Sequence, residues 1–151
     1  MVNILTYLRP ARGRRRKIKK AIEILRSKNI RPSMARIKIL EYLTGTTDHP
    51  TVEMIYSRLL PEIPTLSKTT VYKTLELLVE ANLARLLHMD ENEARFDANV
   101  SDHGHFRCSR CGKVYDFEAD LDSLETKGLE GFAVAEKNLI FKGSCPRCRT
   151  D

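Results

Sequence analysis

All four cysteines of this 151-residue chain fall into two C-x-x-C pairs, and both pairs lie in its last third. Cys108 and Cys111 form the first pair and Cys145 and Cys148 the second, with 33 residues between the pairs. Two thiolates at this spacing supply two corners of a tetrahedral metal site, and Gly112 permits the tight turn that follows the first pair. We therefore expect all four sulfurs to bind one structural Zn²⁺.

Such a four-sulfur site is closed, because every coordination position of the metal is taken by the protein. Its role is then folding rather than catalysis. Two disulfides are the alternative interpretation of the cysteines, and reducing conditions in a cytoplasm argue against them.

Histidine and aspartate side chains are interleaved with the first cysteine pair. His103 and His105 are spaced H-x-H, and Asp97 and Asp116 flank them within a stretch of 20 residues, whereas His49 lies much earlier in the chain. Imidazoles with carboxylates form a harder ligand set than four thiolates and suit Fe²⁺ or Mn²⁺, although Zn²⁺ would also bind. These residues indicate a second metal site, or else an ordinary set of surface and core histidines.

The net charge of +6 is unevenly distributed along the chain. Residues 1–20 contain eight lysines or arginines and no acidic residue, so this segment carries +8 and the rest of the chain −2. We define residues 1–17 as a basic arm, in which Arg14, Arg15 and Arg16 are candidate DNA contacts. A solvated tail is the alternative.

No stretch of the sequence approaches about 18 consecutive apolar residues, which a membrane-spanning helix requires. The brief apolar start precedes its charges and lacks a small-residue cleavage site, so it does not resemble a secretory signal. We expect a cytoplasmic protein that does not insert into a membrane.

Apolar residues at helical spacing predict four helices before residue 81. The four sets are Ile18, Ala21, Ile22 and Leu25; Ile37, Leu40 and Leu43; Val52, Ile55, Tyr56 and Leu59; and Val71, Leu75 and Leu78. Ser67 is a good N-cap for the fourth helix. Lys68, Thr69, Tyr72 and Lys73 begin its opposite face, where they could reach DNA phosphates and base edges.

Two short alternating runs, 83–87 and 94–96, follow the helices and predict a hairpin. Short helices followed by a hairpin form a winged helix-turn-helix, which we place at residues 18–98. His88 lies in the hairpin and is interpreted as an ordinary strand residue. Residues 99–102 are a predicted hinge, after which strands, a helix over 121–129 and a strand over 132–141 are expected in a domain of residues 103–151.

Six motifs together closely resemble the ferric uptake regulator family of bacterial metal-dependent repressors. They are R-P-S-M-A-R, D-H-P-T, S-K-T-T-V-Y-K-T-L, R-F-D, D-H-G-H-F-x-C-x-x-C-G-K-V-x-D-F and C-P-x-C. The resemblance implies an α+β fold with an N-terminal winged helix-turn-helix and a small C-terminal α/β dimerisation domain. It also implies a homodimer that binds an inverted-repeat DNA operator, with zinc on the four cysteines.

The resemblance further implies that a regulatory metal site joins the two domains through His49, Asp97, His103, His105 and Asp116. Aspartate rather than glutamate at the two carboxylate positions is similar to the peroxide-sensing branch of the family. In that branch, Fe²⁺ with an open coordination position reacts with hydrogen peroxide and a ligand histidine is oxidised. We expect Fe²⁺ or Mn²⁺ as the regulatory metal of this chain.

The sequence therefore predicts a metal-dependent repressor that senses peroxide, and not an enzyme. An iron- or manganese-uptake regulator of the same family is the nearest alternative. A non-haem iron enzyme could also use two histidines and a carboxylate, and a zinc-ribbon RNA-binding protein would account for the basic arm and the cysteine pairs. Neither of these two explains the S-K-T-T-V-Y helix.

Overall fold

The computed structural model describes residues 12–90, 93–125 and 127–149. Within these residues, four helices come first, followed by a two-stranded hairpin and a three-stranded sheet. The helices are α1 (Arg12–Ser27), α2 (Met34–Gly45), α3 (Val52–Leu59) and α4 (Lys68–Glu80). The strands are β1 (Arg85–Asp90), β2 (Glu93–Asp97), β3 (Gly104–Cys108), β4 (Val114–Phe117) and β5 (Leu139–Gly143).

Hydroxyl side chains fix where three of the helices begin. Ser33, Thr51 and Ser67 each have an extended backbone and accept a hydrogen bond from the backbone N–H three residues later. Each cap satisfies a donor that the first helical turn leaves without a partner. The N-cap predicted for the fourth helix at Ser67 is therefore confirmed.

The helical unit surrounds one apolar core. Leu25 of α1, Ile39 of α2, Ile55 of α3 and Val71 and Leu75 of α4 have no exposed surface. The helical periodicity of the sequence predicted most of this core, because side chains three and four residues apart share one face of a helix. The packing positions α4 with its opposite face exposed.

Helix α1 begins earlier than the apolar periodicity predicted. It starts at Arg12, so Arg14, Arg15 and Arg16 are helical rather than part of an extended arm. Arginine and lysine have good helix propensity, and propensity extends the helix beyond its apolar face. Residues 1–11, the rest of the predicted arm, lie outside the described residues.

The predicted hairpin is present as β1 and β2, which pair antiparallel with Leu86 opposite Phe96. Leu86 packs against the helical core, whereas Leu87 faces the C-terminal sheet and is 1% exposed. This wing is thus covered on both faces. His88 is exposed, as expected for an ordinary strand residue.

The C-terminal sheet has the order β4-β3-β5, with β3 antiparallel to β4 and parallel to β5. His105 lies directly opposite Asp116 in this sheet, and Cys108 ends β3 opposite Gly143. The central strand therefore carries a histidine of one predicted site and a cysteine of the other.

Two elements predicted for the C-terminal domain are not formed as expected. The described residues between 119 and 138 contain neither the helix predicted over 121–129 nor the early part of the strand predicted to begin at Phe132. Leu124, Leu129, Phe132 and Val134 are 42–69% exposed, so their apolar pattern has no packing surface within the chain. A short helix is marginal without such packing. Within the described residues, no helix is long and apolar enough to span a membrane.

Candidate metal centres and the DNA-facing helix

Four of the five predicted regulatory ligands converge tightly. Ligand atoms of His49, Asp97, His103 and His105 lie within 4.8 Å of one another, and all four residues are buried. His103 Nε2 lies 3.0 Å from Asp97 Oδ2, while the Nε2 atoms of His105 and His49 lie 3.5 and 3.6 Å from the same oxygen. The turn that carries His49 and the segment 97–105, which are far apart in the sequence, thus meet at one point.

Asp116 lies at the solvent side of this cluster, with its side chain 38% exposed. Its Oδ1 is 2.8 Å from His49 Nε2 and 3.7 and 3.8 Å from the Nε2 atoms of His103 and His105. Asp116 therefore contacts the three imidazoles from outside the compact group of four.

Backbone carbonyls orient two of the imidazoles. His49 Nδ1 lies 3.0 Å from the Thr47 carbonyl, and His103 Nδ1 lies 2.8 Å from the Ser101 carbonyl. A carbonyl can only accept, so each Nδ1 carries the proton and each Nε2 presents its lone pair in the neutral ring. The second nitrogen of each ring is thus available for a metal.

The Nε2 atoms of His49 and His103 are buried and lack a hydrogen bond of acceptable geometry. They are close to carboxylate oxygens in distance, but they are not aligned with those oxygens as hydrogen-bond partners. Buried polar atoms rarely lack a hydrogen-bond partner, and each exception requires an explanation. A metal ion at the centre of the cluster would explain both nitrogens, because each would bind the ion through its lone pair.

The separations between ligand atoms also fit a metal ion. Two ligands each about 2.1 Å from one ion lie roughly 3.0–3.4 Å apart in octahedral or tetrahedral geometry. The nitrogen–oxygen distances of 2.8–3.8 Å are close to that range. The mixed nitrogen and oxygen donors suit a divalent transition metal.

His49 has an unusual backbone, with φ at +48°. Few residues other than glycine adopt this left-handed region, and functional sites are enriched in such strain. The wing holds the turn in place, because Arg95 Nη1 donates to the His49 carbonyl at 3.2 Å and the Phe96 N–H donates to the Pro50 carbonyl at 3.0 Å. Wing and turn therefore position His49 together.

The charges within the cluster shift two pKa values in opposite directions. Burial alone would raise the pKa of Asp97, but the nearby imidazoles of His105 and His49 and a hydrogen bond from the Asn99 N–H outweigh it and hold that pKa well below its ordinary range. Burial likewise would lower the pKa of His49, but the carboxylates of Asp97 and Asp116 raise it. Asp97 is accordingly a carboxylate, the form that binds metal.

The four cysteine sulfurs form a second compact group, also within 4.8 Å of one another. Cys111 Sγ lies 3.9 Å from Cys145 Sγ, and all four cysteines are free thiols. A disulfide would place two sulfurs about 2.05 Å apart, whereas two corners of a tetrahedral zinc site at about 2.3 Å lie roughly 3.8 Å apart. The geometry fits the expected zinc site, and Gly112 adopts the turn expected after the first pair, with φ at +70°.

The close packing of the four cysteines shifts the pKa values of their thiols. Backbone N–H groups of Cys111 and Cys145 lower the pKa of Cys108 to about 6, and the Tyr115 hydroxyl lowers the pKa of Cys145. Interaction with Cys111 and Cys145 raises the pKa of Cys148 to about 12. Four thiolates cannot share this space without a cation, so a divalent metal fits the group.

Helix α4 presents the predicted DNA contacts on one exposed face. Lys68, Thr69, Tyr72 and Lys73 are exposed, and Tyr72 is 53% exposed. Lys68 Nζ lies 2.5 Å from Glu53 Oε2 and 5.5 Å from the centre of the Tyr56 ring. Helix α3 therefore orients the first residue of α4. Arg15 and Arg16 of α1 are exposed too, and the side chain of Arg14 lies outside the described residues.

Comparison with known proteins adds a decisive observation. Residues 27–142 match the model of the ferric uptake regulator family, a range that covers helices α2 to α4, the wing and nearly all of the C-terminal sheet. The chain belongs to this family. It is therefore a metal-dependent transcriptional regulator rather than an enzyme, as the sequence predicted.

Within the family, the chain is similar to proteins named for peroxide responses. It is 37% identical to the peroxide operon regulator of Bacillus subtilis over 134 residues, which span 87% of this chain and 92% of that protein. It is 30% identical to the peroxide-responsive repressor PerR of Staphylococcus epidermidis over 137 residues, or 89% of this chain and 91% of the relative.

Solved structures of the family share the fold. The ferric uptake regulator of Vibrio cholerae is 22% identical with a TM-score of 0.67, covering 82% of this chain and 98% of its own. PerR from Streptococcus pyogenes, in a structure described as a basis for peroxide sensing and gene regulation, is 31% identical with a TM-score of 0.50, covering 88% and 93%.

Some residues that shape the regulatory site carry no signal in the sequence. Thr47 and Ser101 act through backbone carbonyls, which every residue possesses. Arg95 and Asn99 support His49 and Asp97 and could be found only by their closeness to the R-F-D motif. The candidate ligands could be named from the sequence, whereas the residues that position them could be identified only from the structure.

Proposed function

We propose that this protein is a homodimeric, metal-activated repressor that senses hydrogen peroxide. The regulatory metal, Fe²⁺ or Mn²⁺, is bound by His49, Asp97, His103, His105 and Asp116. A structural Zn²⁺ is bound by the four cysteines. The relatives named for peroxide responses support the sensing role, and the convergence of buried imidazoles and carboxylates carries the metal assignment.

The origin of the ligands supports a switching mechanism. His49 belongs to the turn before α3, Asp97 ends the wing, and His103, His105 and Asp116 belong to the C-terminal sheet or its entry. Ligands from both units can share an ion only when the units are held at one relative orientation. Orientation in turn sets the separation of the two α4 helices of a dimer, which must match half-sites roughly 34 Å apart or a multiple of that distance.

Peroxide reverses this arrangement by removing a ligand. Bound Fe²⁺ would supply the reducing equivalents for reaction with hydrogen peroxide beside the histidine ligands. Once oxidised, an imidazole of His49, His103 or His105 no longer offers the same nitrogen lone pair, and the two units are free to reorient. DNA affinity then falls and the repressed genes are transcribed.

The DNA contact comes from the exposed face of α4 and the basic start of α1. Lys68 and Lys73 would bind phosphates, while Thr69 and Tyr72 would reach base edges in the major groove. Arg14, Arg15 and Arg16 would add phosphate contacts that carry no sequence information. A pseudo-palindromic operator is expected for a symmetric dimer.

The test is DNA binding to a family-type inverted repeat with Mn²⁺, Fe²⁺ and Zn²⁺, each before and after peroxide. We expect peroxide to abolish binding of the Fe²⁺ form alone, with oxygen added to His49, His103 or His105 in mass spectrometry. Peroxide insensitivity of all three forms would instead support a plain iron- or manganese-uptake regulator.

Substitution of His49 tests the link between the two units. His49→Ala should abolish metal-dependent DNA binding, whereas His88→Ala, at an exposed histidine outside the cluster, should leave it unchanged. Unaltered binding by His49→Ala would refute a metal site that joins both units.

A further inference from the structure

The helical unit and the C-terminal sheet also meet without any metal ligand. Leu87 and Met89 of β1 are each 1% exposed and pack against Val114 of β4, with Ile140 of β5 beside them. We call these four residues the wing–sheet contact. It is an apolar cluster separate from the helical core, so it joins the two units in its own right.

The pairing of the wing explains how β1 reaches the sheet. Leu86 and Leu87 point to opposite faces of the strand, so one packs on the helices and the other on the sheet. The register shifts between His88 and Asp90, which leaves Met89 in a bulge. Bulges re-aim side chains, and Met89 is buried in the same contact as Leu87.

An ion pair lies at the other end of β1. Arg85 Nη2 is 2.7 Å from Asp102 Oδ1, and their side chains are 25% and 44% exposed. Arg85 is the first residue of β1, and Asp102 immediately precedes His103. The pair therefore ties the wing to the entry of the strand that carries His105.

We infer that the wing–sheet contact and the Arg85–Asp102 pair raise the fraction of metal-free molecules in which the two units are closed, and thereby set the affinity for the regulatory metal. The inference rests on the proposed metal site. A metal that needs ligands from both units binds only the closed arrangement. Its apparent dissociation constant is the intrinsic constant divided by the fraction of molecules already closed. Residues that bind no metal can thus control loading.

The direction in which Arg85→Gln changes Mn²⁺ affinity distinguishes loss of the closed arrangement from a simple change of local charge. Arg85→Gln removes a positive charge close to a site for cations, so charge alone would strengthen Mn²⁺ binding. Loss of the ion pair lowers the closed fraction and weakens binding instead. A partly exposed pair allows an effect of about threefold to fivefold.

Apolar substitutions test the same inference without changing charge. Leu87→Ala leaves a cavity in the wing–sheet contact and should weaken Mn²⁺ binding about tenfold or more. The milder Ile140→Val should weaken it by a smaller factor and serves if Leu87→Ala does not fold. Arg58→Gln is the matched control, since Arg58 pairs with Glu62 on the helical unit at 3.7 Å and is 62% exposed.

The experiment is a competition titration of Mn²⁺ against a fluorescent chelator, with the full-length zinc-loaded protein. Small-angle scattering of the same variants without Mn²⁺ measures the closed fraction directly. We expect Arg85→Gln, Asp102→Asn and Leu87→Ala to weaken Mn²⁺ binding and to increase the radius of gyration, and Arg58→Gln to do neither.

Equal or tighter Mn²⁺ binding by Arg85→Gln would overturn the inference, as would unchanged scattering of the Mn²⁺-free variants. Failure of the wild-type protein to bind Mn²⁺ would instead count against the proposed function. The scattering of the metal-free variants would still decide whether these residues hold the units together.

Discussion

Gly104 separates the two histidines of the H-x-H pair and has no room for a side chain. A Cβ atom built there would lie 2.2 Å from the ring of Phe117. Phe117 follows Asp116 in β4, directly opposite Gly104. The absent side chain therefore lets β3 and β4 approach closely enough for Asp116 to contact the histidines.

Gly104→Ala should destabilise the protein by about 1–3 kcal/mol, because the Phe117 ring must move. It should also weaken Mn²⁺ binding, since displacement of β4 moves Asp116. Urea unfolding and a metal titration measure the two effects. Gly45→Ala is the control, because a Cβ at Gly45 has no neighbour within 4 Å and should be neutral or slightly stabilising. Equal stability and equal Mn²⁺ affinity of the two variants would contradict the steric argument.

At the scale of the element, the contact between α3 and α4 shapes the surface proposed to meet DNA. Glu53 of α3 neutralises part of the charge of Lys68 and holds its ammonium group near Tyr56. Hydrogen bonding to Glu53 also raises the pKa of Lys68, which remains charged. A carboxylate on this face opposes indiscriminate attraction to phosphates.

Glu53→Gln should therefore strengthen binding to non-specific DNA by a few-fold and steepen its salt dependence by about one unit of slope, because Lys68 gains a phosphate contact. Fluorescence anisotropy at several salt concentrations on operator and random duplexes measures both. Glu80→Gln, the same charge change at the far end of α4, should have the smaller effect. Identical salt slopes for all three proteins would argue against a role for the pair.

The segment between β4 and β5 differs from the helices in that much of its apolar surface is exposed to solvent. Leu121 is buried, but four other apolar side chains of this segment are exposed in the single chain, namely Leu124, Leu129, Phe132 and Val134, with Phe132 at 69%. Exposed apolar residues in such a group are typical of a protein interface, and the proposed homodimer provides an occupant.

Phe132→Glu should shift the protein from dimer to monomer in sedimentation velocity, because it places a charge in an apolar contact. Phe132→Leu preserves the apolar surface and should remain dimeric. A dimer of unchanged affinity in Phe132→Glu would show that this segment lies outside the interface.

The sequence predicted elements well where a pattern could be satisfied within the chain. The cap at Ser67 and the apolar faces of the helices are local, so their positions could be predicted closely. The helix expected over 121–129 is absent for the opposite reason, because Leu121 is buried but Leu124 and Leu129 are 50% and 42% exposed and lack a packing surface in the same chain. The ligand residues were predicted by type and motif, whereas their supporting carbonyls at Thr47 and Ser101 depend on tertiary structure.

At the scale of the whole molecule, the cysteine group connects the ends of the C-terminal sheet. Cys108 ends β3 and Cys111 follows it, while Cys145 and Cys148 come after β5. The Cys145 N–H also donates to Cys108 Sγ at 3.4 Å. This small sheet has few buried apolar residues of its own among those described, so it depends on the cross-connection.

Cys108→Ser should release the zinc proposed for the four cysteines and unfold the C-terminal sheet, since zinc binding in small domains supplies about 10 kcal/mol or more of folding energy. Zinc content by mass spectrometry and secondary structure by circular dichroism measure the outcome. Ser109→Ala, at the adjacent exposed residue, should retain the metal and the sheet. A folded Cys108→Ser protein without zinc would mean that the cysteines serve another purpose.

The double coverage of the wing has a consequence for the life of the protein in a cell. If the two units separate as proposed, β1 must leave one of its two apolar neighbours, and the helical core is the larger of them. Leu87 and Met89, which are buried in the closed form, would then form an apolar patch exposed to solvent. The form that has released DNA would also be the form most open to proteases and self-association. Exposure of Leu87 and Met89 would then couple the response to peroxide to degradation of the oxidised protein.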